Sequence, residues 1–339
     1  MLQPANKNFY QPQKTKFRFF RGLLLLGIWL AILGLLAFNR QNINDWWLLR
    51  HYQPPPAVAH LADQDTMTDY GRKIFYVNHA SIESKTAFPQ ECPNNGGEQT
   101  IVLGCYHSNQ AGIFLLSVTD PRLDGVEQVT AAHEMLHGAY DRLSSSAKAR
   151  VDAMLLDYYN HDLHDQRVRD TIAAYRKSEP HDVVNEMHSV FGSEIAHLPA
   201  GLEQYYKHYF TDRSKVTGYA AQYQAVFTSR QTAVAQDDSQ LAGLKQQIDS
   251  SEADLKTKQA SIQSGQSSLS TLRSSGDIKD YNAGIPAYNS LIDSYNAEVA
   301  TVQSLVGQYN ALVATRNALA LEEGQLTKEL STNAASISR

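Results

Sequence analysis

The sequence predicts an α+β protein: a mixed globular domain with a small sheet, a transmembrane helix before it, and an antiparallel helical hairpin (a coiled coil) after it. Three observations carry this. Residues 22–38 are an unbroken apolar run of 17, residues 100–118 read as two strand-like segments ahead of a helix, and two heptad series follow residue 218. The 339 residues hold 30 Lys+Arg against 35 Asp+Glu, a net charge of −5 that gives a nucleic-acid partner no electrostatic support. Two cysteines exclude a disulfide-dense scaffold, a zinc ribbon or an iron–sulfur cluster. The chain divides into a basic tail (1–21), an anchor (22–38), a tether (39–56), the globular domain (57–217) and the hairpin (218–339).

The anchor comes first. As a helix, residues 22–38 rise about 26 Å, close to a ~30 Å hydrocarbon core, and Phe19 and Phe20 extend them. Lys7, Lys14, Lys16, Arg18 and Arg21 precede the run with no acidic residue. The positive-inside rule then gives a single-pass cell-membrane protein, its N-terminus cytoplasmic and its later domains extracytoplasmic. A cleaved signal peptide is the rival reading, and Leu35 before Ala37 matches its small-residue cleavage site poorly. Pro54-Pro55-Pro56 makes the tether stiff.

Cys92 and Cys105 flank Asn94-Asn95-Gly96-Gly97, a turn signal. In an oxidising compartment they pair as a disulfide, stabilising by about 3 kcal/mol; two free thiols are the alternative. Thr100–His107 and Gly112–Val118 are strand-like, joined by Ser108-Asn109-Gln110-Ala111.

The next element carries the chemistry. Val126, Val129, Ala132, Leu136, Ala139 and Leu143 form the apolar stripe of a helix, with Asp124 and Glu127 as a capping-box-like start. Within it stands His133-Glu134-Met135-Leu136-His137, an HExxH pattern. Two imidazoles four residues apart share a helical face and can reach a single ion. Glu134, rotated about 100° from His133, can approach a water on that ion without ligating it. A surface helix with ordinary histidines is the bland alternative; one Zn2+ ion is the stronger reading. Zinc needs a third protein ligand, and an open fourth position if it is catalytic. A His six residues after His137 would complete the metzincin pattern, but Leu143 stands there. The ligand therefore comes from a later element. The outstanding candidate is Glu186, in Val184-Asn185-Glu186-Met187-His188-Ser189-Val190-Phe191-Gly192. Glu194 and His188 are the alternatives.

HExxH followed by Asn185-Glu186-x-x-Ser189 and Phe191-Gly192 resembles the gluzincin metallopeptidases, the thermolysin-like clan of zincins. The resemblance covers about 70 residues. It implies that His133, His137 and Glu186 ligate zinc and that Glu134 is the general base. It also implies a zincin-like domain whose edge strand lies beside the HExxH helix and aligns an extended peptide. The family's Asp after the Ser is replaced by Val190, so support for the ligand histidines comes from elsewhere.

The hairpin closes the chain. Leu241, Leu244, Ile248, Leu255, Ile262, Leu269 and Leu272 make one series; Tyr288, Ile292, Tyr295, Val299, Val302, Val306, Tyr309 and Val313 make the second. Ser274-Ser275-Gly276-Asp277 reverses the chain between them, and Pro286 kinks or starts the second helix. The tyrosines pack the seam, and the arm is a spacer or a docking device for a coiled-coil partner or a second copy.

The function expected from all this is membrane-anchored, extracytoplasmic hydrolysis of peptide bonds in a peptide or protein substrate, with zinc-activated water. Tyr175, His181 and His188 are candidate oxyanion donors. The competing expectation is a cell-envelope scaffold or adaptor whose coiled coil does the work and whose zinc site is structural or degenerate. An intact Glu134 favours the enzyme, because a structural site has no use for that carboxylate.

Overall fold

The computed structural model describes residues 15–93, 102–178 and 180–331. In chain order it contains α1 (Thr15–Phe38), α2 (Arg40–Leu49), α3 (Pro56–Gln64), α4 (Asp69–Val77), β1 (Ser81–Glu83), α5 (Phe88–Glu91), β2 (Gly104–His107) and β3 (Gly112–Leu116). Then follow α6 (Val126–Asp141), α7 (Ser145–His161), α8 (Gln166–Ser178), α9 (Val183–Glu194), α10 (Ala200–Tyr206), α11 (Arg213–Ser275) and α12 (Ile278–Leu330). The turn expected at Asn94-Asn95-Gly96-Gly97 and the cations Lys7 and Lys14 lie outside the described residues.

Two expectations of fold class are corrected. The protein is predominantly helical rather than α+β: its described sheet has three strands of three, four and five residues, in the order β1-β3-β2. Of the strand-like run expected from Thr100, the first two residues lie outside the described residues, and the described pairing with β3 begins at Gly104. β1, parallel to β3 through Ser81↔Phe114, is too short to leave a periodic signature.

The transmembrane helix is corrected as well. Among the described residues no single helix is long and apolar enough to cross a membrane; Leu23–Phe38 and Arg40–Leu49 meet that standard only together, bent by 61°. The helix breaks at Asn39, whose side-chain amide donates to the Leu35 carbonyl at 2.9 Å. α2 then turns onto the domain, because Asp45 is buried there against Arg142.

The core gathers around α6. Ile74 and Phe75 of α4, Ile113 and Leu115 of β3, Met135 and Leu136 of α6, Met187 and Phe191 of α9, and Tyr206 of α10 are all buried in it. α6 and α9 cross closely, since a Cβ at Gly192 would meet Leu136 Cδ1 at 2.4 Å and Tyr206 Cε1 at 2.6 Å. The capping box expected at the start of α6 does not form. Gly125 is the N-cap, with φ +101°, and the Glu127 carboxylate accepts from the Val118 N–H at 2.7 Å. Cys92 and Cys105 form the disulfide, their Cα atoms 5.9 Å apart, which ties the end of α5 to β2.

α11 and α12 form the helical hairpin, roughly 95 and 80 Å long at 1.5 Å per residue, joined at Gly276 with φ +79°. Tyr288, Tyr295 and Tyr309 are half-buried along its seam, which Lys258–Glu298 (2.9 Å) and Arg316–Asp238 (3.0 Å) bridge. Pro286 lies inside α12 rather than at its start. α11 runs unbroken through residues 217 and 218, with Val216 and Ala220 buried against the domain. At the other end of the arm, Leu326 and Leu330 pack on Leu123 and Val126, where α6 begins.

One buried acid has a measurable consequence. Both carboxylate oxygens of Asp65, the C-cap of α3, are buried without a hydrogen-bond partner, and burial raises its pKa well above the usual carboxylate range. A raised folded-state pKa gives stability that is present at low pH and lost as pH rises through that value. Asp65→Asn, which cannot ionise, is therefore expected to gain on the wild type between pH 4 and pH 8. Urea unfolding across that range checks it; a wild type that gains on the variant would show an ionised, paired Asp65 instead.

Candidate metal centre

The two histidines of α6 project toward α9 from one helical face, and α9 brings Glu186 up to them. His133 Nε2 and His137 Nε2 are 3.0 Å apart. Glu186 Oε2 lies 3.7 Å from the first and Oε1 lies 3.5 Å from the second. Three ligands at about 2.0 Å in tetrahedral directions stand about 3.3 Å from one another, so these spacings bracket what one ion needs. Two further facts fit a cation. Facing imidazole nitrogens either share one proton or both present lone pairs to a third party, and Glu186 Oε2 is buried with no hydrogen-bond partner. His133, His137 and Glu186 could hold a metal ion, and they are the only such cluster of three among the described residues.

The electrostatics agree with an ionised carboxylate. Burial pushes the Glu186 carboxyl up, but His137, His133 and the hydrogen-bonding Tyr175 hydroxyl outweigh it and hold the group below its ordinary value. Glu134, next in sequence to His133, is 6% exposed and meets β2. A Cβ at Gly104 would lie 2.8 Å from Glu134 Oε1 and 2.5 Å from Thr130 Cγ2, so only glycine lets the strand come this close to the carboxylate. β2 is thus an edge strand of the described sheet and lies beside the HExxH helix.

The other candidates lie elsewhere. Glu194 pairs with Arg167 at 2.7 Å and accepts from Gln224 at 3.0 Å. His188 is fully buried, shares a hydrogen bond with the Tyr205 hydroxyl at 2.8 Å, and is driven down to about pKa 3 by burial and by the neighbouring His137, His133 and Lys148. Of the three oxyanion candidates, Tyr175 contacts Glu186, His188 is engaged with Tyr205, and His181 is exposed ahead of α9.

Three residues near the site escaped sequence reasoning. Tyr106 of β2 stacks on His137, ring centroids 6.4 Å apart and planes 7° from parallel, while its hydroxyl donates to Asp141 at 3.0 Å. Nothing in the sequence pattern marks that contact. Tyr205 is equally invisible, because it reaches His188 from α10. Gly104 did carry a signal: a glycine inside a strand-like run marks a close approach. Comparison with protein-family models, with curated proteins and with solved structures finds no match, so the assignment rests on the geometry of the site.

Proposed function

We propose that this protein is an extracytoplasmic zinc metallopeptidase of gluzincin type, with His133, His137 and Glu186 as ligands and Glu134 as general base. The observation that carries the reading is the pairing of a convergent His133/His137/Glu186 cluster with a separate buried carboxylate, Glu134, held against the edge strand. A structural site needs the first and has no use for the second. The Cys92–Cys105 disulfide supports an oxidising, extracytoplasmic location.

A bound zinc ion supplies a water acidified to a pKa of about 7 and polarises a peptide carbonyl. The residues of the chain do the rest. Glu134 takes the proton and delivers it to the leaving amine. β2, paired on one side only among the described residues, offers main-chain groups to an extended substrate. Tyr175, already at Glu186, is the best-placed donor for the developing oxyanion. The ring of Tyr106 limits the motion of His137 by stacking on it.

The scaffold reading keeps one observation in its favour, the hairpin of 63- and 53-residue helices, which is larger than hydrolysis requires. Metal analysis and peptide-library cleavage separate the two. Purified wild type and Glu194→Ala are expected to hold one zinc per chain, and His133→Ala and Glu186→Ala to lose it, because an incomplete ligand set binds weakly. A wild type free of metal in chelator-free buffer, or one that holds zinc and cleaves nothing, overturns the enzyme.

A further inference from the structure

α2 presents most of its residues to solvent, yet Asp45 within it is 2% exposed. Its carboxylate accepts from Arg142 at 2.7 and 2.9 Å and from the Gln110 amide at 3.0 Å, with Lys73 Nζ at 3.6 Å. Asn44 donates to Gln110 at 2.6 Å. Arg142 caps the C-terminus of α6, and Gln110 sits in the β2–β3 turn with φ +62°. α2 is thus fastened to the end of α6, the helix that bears His133 and His137, and to the turn that follows β2.

Between the helix pair and the domain lies a cleft of about 1030 Å³, at the top of the usual range for ligand sites. On the helix side Phe38, Ile43 and Trp47 form an apolar wall interrupted by Arg40, Gln41 and Asn44; Tyr106, Asp141 and Arg142 line the domain side as a polar wall. Nothing in the described chain covers the apolar wall, since Phe38 is 88% and Trp47 64% exposed. Tyr106 joins the cleft to the cluster, because the same ring stacks on His137. It also belongs to β2, whose outer edge has no partner strand among the described residues. An occupant that uses all three features must offer main-chain hydrogen bonds to the strand and bulky apolar side chains to the helices. An extended peptide does so; an acyl chain would have no use for the strand edge or the polar wall.

We propose that this cleft is a substrate subsite that selects peptides with a bulky apolar residue to one side of the scissile bond, held against Ile43 and Trp47. The proposal deepens the metallopeptidase reading and rests on it for the position of the cut. The control is built into the sequence: Trp46 is 65% exposed, matching its neighbour Trp47, but does not line the cleft.

The test uses full-length protein carrying Glu134→Gln, so that bound peptide is not cut, and fluorescence anisotropy with fluorescein-labelled peptides bearing Phe or Ser at one position. The Phe peptide is expected to bind more tightly than the Ser peptide. Adding Trp47→Ala should weaken it about tenfold, as loss of a buried aromatic anchor does, and adding Trp46→Ala should leave it unchanged. Equal affinity for Phe and Ser peptides, or equal effects of the two Trp variants, overturns the subsite. Cleavage profiles of the two single variants in active protein give a second readout: Trp47→Ala alone should flatten the apolar preference, and an unaltered profile refutes the proposal. If the wild type cleaves nothing while Trp47 still governs peptide binding, the metallopeptidase reading fails and the peptide subsite stands.

Discussion

Glu134→Gln is expected to leave the zinc content unchanged while lowering peptide turnover by roughly 10²-fold or more. The substitution keeps the size and shape of the side chain in a space where size matters, because Gly104 and Thr130 already crowd it. It removes only the capacity to accept a proton at neutral pH. Glu134 is not one of the three clustered ligands, so metal binding should not notice the change. Atomic absorption beside initial rates on a cleaved library peptide measures both. Loss of zinc in the variant would make Glu134 a ligand or a packing element. Unaltered turnover would remove the general base and leave the scaffold reading in possession.

Arg213→Met is expected to cost roughly 3 kcal/mol of stability without touching the site directly. The side chain is buried at the base of α11, where it donates to the carbonyls of Ile195 at 2.5 Å and Ala196 at 3.2 Å and pairs with Glu203. Longer contacts of 3.4 Å reach the carbonyls of Phe191 and Gly192. A helix leaves its last four carbonyls without intrahelical partners, and here one guanidinium serves those at the end of α9, the helix that carries Glu186. Methionine fills the space and leaves these acceptors buried and unpaired. Urea midpoints of wild type, Arg213→Met and Arg213→Lys measure the effect. Lysine should recover only part of it, since a single ammonium cannot reproduce the planar fork. A loss under about 1 kcal/mol would show that water takes over the carbonyls.

The site was more legible in the sequence than the fold that holds it. HExxH announces itself because both histidines lie within one helical turn, and the two heptad series announce α11 and α12 because each repeats over many turns. Glu186 was found through a motif on a later helix, although nothing local says that α6 and α9 cross. What sequence reading missed are single contacts over long separations. Asp45 finds Arg142 across 97 residues, and in Asn44-Asp45-Trp46-Trp47 it looks like any surface acid. The apolar run of 22–38 reads the same whether its helix continues straight or stops at Asn39, because the bend depends on where α2 docks. Glu127 had the spacing of a capping residue, and the nearby Val118 N–H claimed it instead.

The return of α12 to the start of α6 bears on how the molecule is assembled. Arg122 meets Glu322 across 200 positions, and Lys85 donates to the carbonyls of Lys328 and Glu329 across more than 240. Contacts so remote in sequence form late, after the intervening loop entropy has been overcome. The residues they cover, Leu123 and Val126, begin the very helix that bears His133 and His137. Until both arms of the hairpin have folded and zipped together, that helix has a bare apolar N-terminal end. A His133/His137/Glu186 cluster arranged in this way is completed only with the whole fold, so a chain still lacking its hairpin has not yet assembled it.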